Sequence, residues 1–166
     1  MGVLMVQKSE RVRIALATVV AVFVLGTLTI ASGGRVATLD ERMNGASNVV
    51  VATARHVDAE WRENNHGDRV IVSRVELEVA ENLKGSAAQT LFLEIDGGTK
   101  DGYTLQVSSL PLILRGDRAV FFLGATKGGL HAEYLRGQGI LLLDQFDIVR
   151  GSSLRLDDIR AKARGR

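Results

Sequence analysis

The chain has no cysteine, one proline, one tryptophan and two tyrosines in 166 residues. Without cysteine there is no disulfide framework, no thiolate zinc site, no thiol nucleophile and no lipid attachment through sulfur. With only eight Phe, Trp and Tyr residues in total, no stacking platform of the kind used by single-strand nucleic-acid binders is visible. A concentrated positive field is missing too. Residues 1–13 carry Lys8, Arg11 and Arg13 against Glu10, which accounts for the whole formal charge of +2. Residues 14–146 hold twelve basic and fifteen acidic groups, and residues 147–166 hold six and three. The body of the chain is mildly acidic, which excludes nucleic acid as the expected partner. Long amphipathic helical periodicity is also lacking between residues 48 and 148.

What is present begins with Ile14 to Ala31, eighteen consecutive uncharged residues behind a basic segment. At 1.5 Å per residue such a run spans about 27 Å, enough for a hydrocarbon core. Residues 1–35 are therefore expected to be a signal peptide or a membrane anchor, entered as a helix. Small residues through Ala31-Ser32-Gly33-Gly34 suit cleavage, whereas the length suits an uncleaved anchor. In either case the basic side stays in the cytoplasm and the rest emerges outside. The expected location is the cell envelope: held at the inner membrane with the domain outside, or periplasmic or secreted if the signal is cut.

Residues 36–150 read as one mostly-β domain, a small antiparallel barrel or sandwich of five or six strands. Leu39 to Met43 can form a short helix, with Thr38 as its N-cap. Asn48 to Gly85 then reads as two long strands joined by a polar excursion, residues 62–68. Ile71, Ser73, Val75, Leu77 and Val79 alternate with Arg74, Glu76 and Glu78, the period of a strand with one wet face. Val49, Val50 and Val51 are apolar on both faces, and the pattern slips around Arg55 and His56, which predicts a kink or bulge. Leu91, Leu93 and Ile95 mark a third strand, and residues 96–102 a loop. Pro111 makes 105–114 an edge or loop segment. Ala119 to Leu123 is apolar throughout, as for a strand covered on both faces, and further strands are expected at 130–135 and 140–148. The expected core is Val50, Val57, Ile71, Val75, Leu77, Val79, Leu91, Leu93, Ile95, Val120, Phe122, Leu142 and Ile148. Residues 151–166 form a basic helical tail, with Asp158 placed four before Lys162 and a narrow stripe of Leu156 and Ile159. Such a tail is expected to be solvated and to fray.

Catalytic signatures are sparse. No serine lies in a glycine-flanked elbow, and Gly97-Gly98 and Gly128-Gly129 do not open helices that would cradle phosphate. His56, Asp58 and Glu60 would share one strand face at two-residue spacing, and with His131 they make the alternative expectation of a metal-binding protein. Wetted strand faces look the same in sequence, so no metal, cofactor or catalytic residue is assigned. The leading expectation is a non-catalytic module that binds an envelope protein or polymer through the polar loops 62–68 and 96–104. Its membrane contact would be the N-terminal helix.

An ordered set of motifs carries a resemblance. It comprises Ala46-Ser47-Asn48-Val49-Val50-Val51-Ala52, then Trp61, Val79 with Leu83-Lys84-Gly85, and Gly97-Gly98. It continues with Pro111, Ile113, Gly116-Asp117, Phe122-Leu123 and Gly139. Over residues 38–149 the chain resembles a broad group of exported bacterial proteins with one small β domain and no established activity. Ala52 stands where that group usually has glycine, Ile113 where it has an aromatic residue, and Asp117 where it has glutamate. The group is in turn distantly similar to the oligosaccharide- and oligonucleotide-binding barrel of inhibitor-type exported domains. The resemblance implies a barrel-like fold and an export route, and no activity.

Overall fold

The slip expected in the first long strand sets the geometry of everything around it. In the computed structural model, which describes residues 35–108 and 110–165, β1 spans Asn48–Glu63 and pairs antiparallel with β2, Arg69–Lys84. The register shifts between Ala54 and His56, so Arg55 is the extra residue of a bulge. Before the bulge the even positions Val50, Ala52 and Ala54 face the interior, and after it Val57 does. One inserted residue moves the inward set from even to odd numbers. His56, Asp58 and Glu60 are thereby turned to solvent.

β3, Thr90–Asp96, continues the meander antiparallel to β2. A small separate hairpin follows, β4 (Gly98–Lys100) and β5 (Tyr103–Leu105). β6 is Arg118–Lys127, β7 is Leu130–Glu133 and β8 is Ile140–Leu142. The main sheet runs β1-β2-β3-β7-β6-β8, and β6 also pairs with β1 across Asn48–Thr53. Five strands therefore form a ring, with β8 appended to β6. One pairing departs from the antiparallel expectation: β3 and β7 are parallel, joined at Phe92 with Leu130 and Leu93 with His131. The β4–β5 hairpin and the loop after it carry the chain back, so β7 arrives at β3 in the same direction.

Both doubly apolar segments are covered on both faces. Val50 of β1 and Phe121 and Leu123 of β6 join Val75, Leu77, Leu91 and Leu93 inside the ring. Val49, Val51, Val120 and Phe122 form a second cluster on the outside, under two helices. The expected core thus placed Val120 and Phe122 in the right state of burial, while Phe121 fills the ring itself. Val57, Val79, Leu142 and Ile148 are half-buried, with Ile140, Leu141 and Leu143 buried in their neighbourhood. The last strand stops at Leu142, because the chain turns at Asp144–Asp147, where the Asp144 carboxylate accepts from the amides of Phe146 and Ile148.

The first helix, α1, is Leu39–Gly45. Thr38 caps it, accepting from the Glu41 amide at 3.2 Å while the Glu41 carboxylate accepts from the Thr38 amide at 2.8 Å. The second, α2, is Leu156–Arg164. Leu156 and Ile159 are fully buried in the outer cluster, so the helix is docked on the domain and is not the solvated tail that was expected. Burying two aliphatic side chains of this size contributes about 3–6 kcal/mol, which a charge-only tail would lack. Arg160 fixes it further by bonding Glu81 at 2.7 and 2.9 Å. Lys162 meets Asp40 of α1 at 2.8 Å, and Asp158, its expected partner, instead accepts from the Arg155 amide at 3.0 Å. Among the described residues no helix is long and apolar enough to cross a membrane. The 14–31 segment lies outside the described residues.

Candidate functional site: the rim of two loops

Trp61 is the last inward-phased aromatic of β1, beyond the part of the strand that β6 covers. A second layer has to shield it there, and the segment 96–104 supplies it. Asp101-Gly102 is a two-residue turn with both φ angles positive, 52° and 80°, which matches the right-handed twist of a tight hairpin. Lys100 pairs with Tyr103 and Thr99 with Thr104 on either side of it, with the two threonine hydroxyls 2.9 Å apart. The expected plain loop is therefore the β4–β5 hairpin. Its signal, Asp-Gly between short polar strands, was present in the sequence.

The hairpin meets the end of β1 through named contacts. Trp61 Nε1 donates to Asp101 Oδ2 at 3.0 Å. The Tyr103 ring stands edge-on to Trp61, with centroids 6.0 Å apart. The Arg69 guanidinium, from the start of β2, lies over the Trp61 ring at 4.8 Å. Beneath, Ser73 donates to the Gly97 carbonyl at 2.7 Å. Gly98 lies so close that a Cβ there would collide with the Ser73 hydroxyl and press on Ala59 at 3.3 Å. The segment 96–104 is thus fixed to Trp61, and Arg69 covers the same ring, so the strand ends that flank loop 62–68 and the hairpin share one rim. Tyr103 is 67 % exposed at its crest, a large ring held out to water by a fixed base.

The polar turn at the tip is also ordered. Asn64 Oδ1 accepts from the amides of His66 and Asp68 at 2.8 and 3.0 Å. Behind the rim, residues 95–98, 105–107 and 110–113 border a cavity of about 10 Å³, lined by Ser73, Ile95, Leu110 and Ile113 among others. That is room for about one water molecule. The arrangement offers a contact surface, with no enclosed chamber of drug-like size at this point.

The alternative metal residues are placed differently. His56, Asp58 and Glu60 lie along the exposed face of β1, opposite Glu76, Arg74 and Val72. Glu60 bonds Arg62, which also reaches Glu94 at 2.7 Å, and that bond holds the Glu60 carboxyl below its ordinary range. His131 is on β7, two ring positions from β1 by way of β6. Among the described residues no group of three or more His, Asp or Glu side chains could hold a metal ion. The strand face carries ion pairs, Arg55 with Glu78 and Arg62 with Glu60 and Glu94, and one cation–π contact, Arg74 over Phe92 at 4.7 Å.

No protein-family model matches the chain, and no curated protein matches it.

Proposed function

We propose that residues 36–150 are a non-catalytic binding module of the cell envelope, presented outside the membrane by the 14–31 segment, and that its rim engages a protein or polymer partner. The observation that carries this reading is the seating of the hairpin 98–105 against Trp61, at the end of the strand that leads into loop 62–68, with Tyr103 exposed on a rigid base. Pre-organised aromatics of this kind supply contact area at small entropic cost. The strand order supports an OB-like barrel as the finer description. In such barrels the loop between the first two strands belongs to the ligand face, which is where Trp61 and Arg69 stand. The resemblance to exported β-domain proteins supports the same location.

The test is site-specific photocrosslinking in cells, with the photoreactive residue at 103, at 65, and at the distant position 89. A discrete adduct from 103 and 65, absent from 89 and lost with Trp61→Ala, is the expected result. Equal labelling at all three positions, or none at the rim, would exclude the rim as the binding surface.

A further inference from the structure

We infer that the outer edge of β1, from Val57 to Glu63, receives an extended segment of a partner protein as an added strand, with a basic side chain of that segment opposite Asp58. This goes beyond the rim: it concerns a row of backbone groups that is open whether or not Tyr103 binds anything.

The phase of the ladder decides which backbone groups are open. The Gly97 amide donates to the Ile71 carbonyl at 2.7 Å, so Ile71 turns its peptide groups away from β1. Trp61 is the residue opposite Ile71. In an antiparallel pair such a residue directs its own N–H and C=O outward, and the two-residue period extends this to Val57, Ala59 and Glu63. The hairpin end gives the same phase, because the Asn64 amide donates to the Asp68 carbonyl at 2.9 Å.

β6 fills this side of β1 only as far as Thr53, opposite Arg118. Ala54 makes the last bonds, donating to the Asp117 carbonyl at 2.9 Å and accepting from the Gly116 amide at 2.8 Å. The bulge at Arg55 then hands the outward row from Ala54 to Val57. Among the described residues no strand pairs with β1 beyond that point on this side. Six steps at about 3.4 Å make the open row about 20 Å long, in line with β6. Unpaired N–H and C=O groups at strand spacing are matched by another extended backbone.

Asp58 sets the chemistry of that backbone's side chains. It is exposed on the wet face, and among the described residues its carboxylate has no hydrogen bond or ion pair. Arg74 lies opposite it on β2, but the Arg74 guanidinium is stacked over Phe92 at 4.7 Å. Glu60 is already held by Arg62. Asp58 is thus the charge left for a neighbour on the free side, and it favours lysine or arginine there. On the other face Val57 and Trp61 are half-buried, and Leu114 is 58 % exposed in the turn that bonds Ala54. Apolar residues therefore suit the alternate positions of the added strand. A second copy of this chain fits less well, since full overlap of the two edges sets Glu60 against Glu60.

The probe is a capped peptide of alternating valine and lysine, about seven residues long to match the edge. It is added to the full chain in neutral detergent, and amide hydrogen exchange is followed residue by residue. Exchange at Val57, Ala59 and Trp61 is expected to slow by more than about tenfold at saturating peptide. The same peptide N-methylated at alternate residues, in either frame, should give no slowing. Glutamate in place of lysine should weaken binding, and Asp58→Asn should weaken the lysine peptide by about two- to fivefold. Slowing confined to residues 99–104 would place the peptide on the rim and overturn the edge. Absence of slowing, or equal slowing by the methylated peptides, would overturn strand addition. Slowing that grows with protein concentration, without peptide, would give the edge to a second copy and overturn the partner segment. Equal binding of the glutamate peptide would overturn the role of Asp58.

Discussion

The Lys84 ammonium lies 2.6 Å from the carbonyl oxygen of Ala46, and it reaches the carbonyls of Met43 and Asn44 at 2.8 and 3.2 Å. These are end groups of α1 that have no further turn of helix to donate to them. One side chain of β2 therefore closes the C-terminus of α1, and its charge suits the negative end of the helix. Gly85 completes the clasp: its φ is 77°, and a Cβ there would press on the Asn48 side chain and the Ser47 carbonyl. Lys84→Met should cost about 1–2 kcal/mol in urea unfolding and raise amide exchange across 39–46. Unchanged stability and exchange would show that solvent serves α1 equally well.

The single tryptophan makes emission a direct reading of the rim. Trp61→Phe keeps an aromatic ring against Tyr103 and removes the bond to Asp101, so a loss of about 0.5 kcal/mol is expected. Asp101→Ala should change Trp61 emission, whereas Glu81→Ala, which acts on α2, should leave it alone. A change of emission with both would mean that the rim is not an independent unit.

Arg42 is 9 % exposed on the buried side of α1, and its Nε has no hydrogen-bond partner among the described residues. Burial holds its guanidinium below the ordinary value. Replacing a side chain whose Nε is buried without a partner by an apolar one of similar length removes that cost. Arg42→Met should leave stability unchanged or raise it by up to about 1 kcal/mol. A loss greater than about 1 kcal/mol in chemical denaturation would show that Arg42 makes a stabilising contact.

Glu133, at the end of β7, is half-buried, and burial pushes its carboxyl above the ordinary carboxylate range, helped by Asp96 and opposed by its own backbone hydrogen bond and Arg136. The fold thus favours the protonated form. The stability this gives is full below the unfolded-state pKa and is lost as pH rises through the folded-state pKa. Glu133→Gln should accordingly raise the melting temperature at about pH 7 and give little or no gain at about pH 4. An equal shift at both pH values would remove titration as the cause.

Where one side chain type repeats at a fixed period, the sequence revealed the fold. The alternation from Ile71 to Val79, the slip at Arg55 and the apolar run 119–123 became a strand, a bulge and a doubly covered strand. Thr38 announced the cap of α1, and the structure adds the return bond from Glu41. Contacts that join distant segments were not legible. Nothing local to Trp61 names Asp101, and nothing in Lys84 names Ala46. Leu156 and Ile159 were visible as a stripe, but the groove that buries them is built by Val49, Val51, Val120 and Phe122 from elsewhere in the chain. Periodicity reports which face is apolar and not what lies against it. The rim was half legible: both loops stood out as polar, whereas the seat of the second against Trp61 depends on a hairpin of three-residue strands too short to carry a period.

The parallel seam between β3 and β7 has a consequence in time. β1, β2 and β3 can assemble from neighbours in sequence, each strand folding back on the one before. Phe92 and Leu93 must wait for Leu130 and His131, which arrive only after the β4–β5 hairpin and β6 have been laid down. Closing so long a loop on two residue pairs gives little return for the entropy lost until β6 has also found β1. Completion of the ring is therefore expected to be the late step of folding, and hydrogen exchange should be fastest along this seam within the ring.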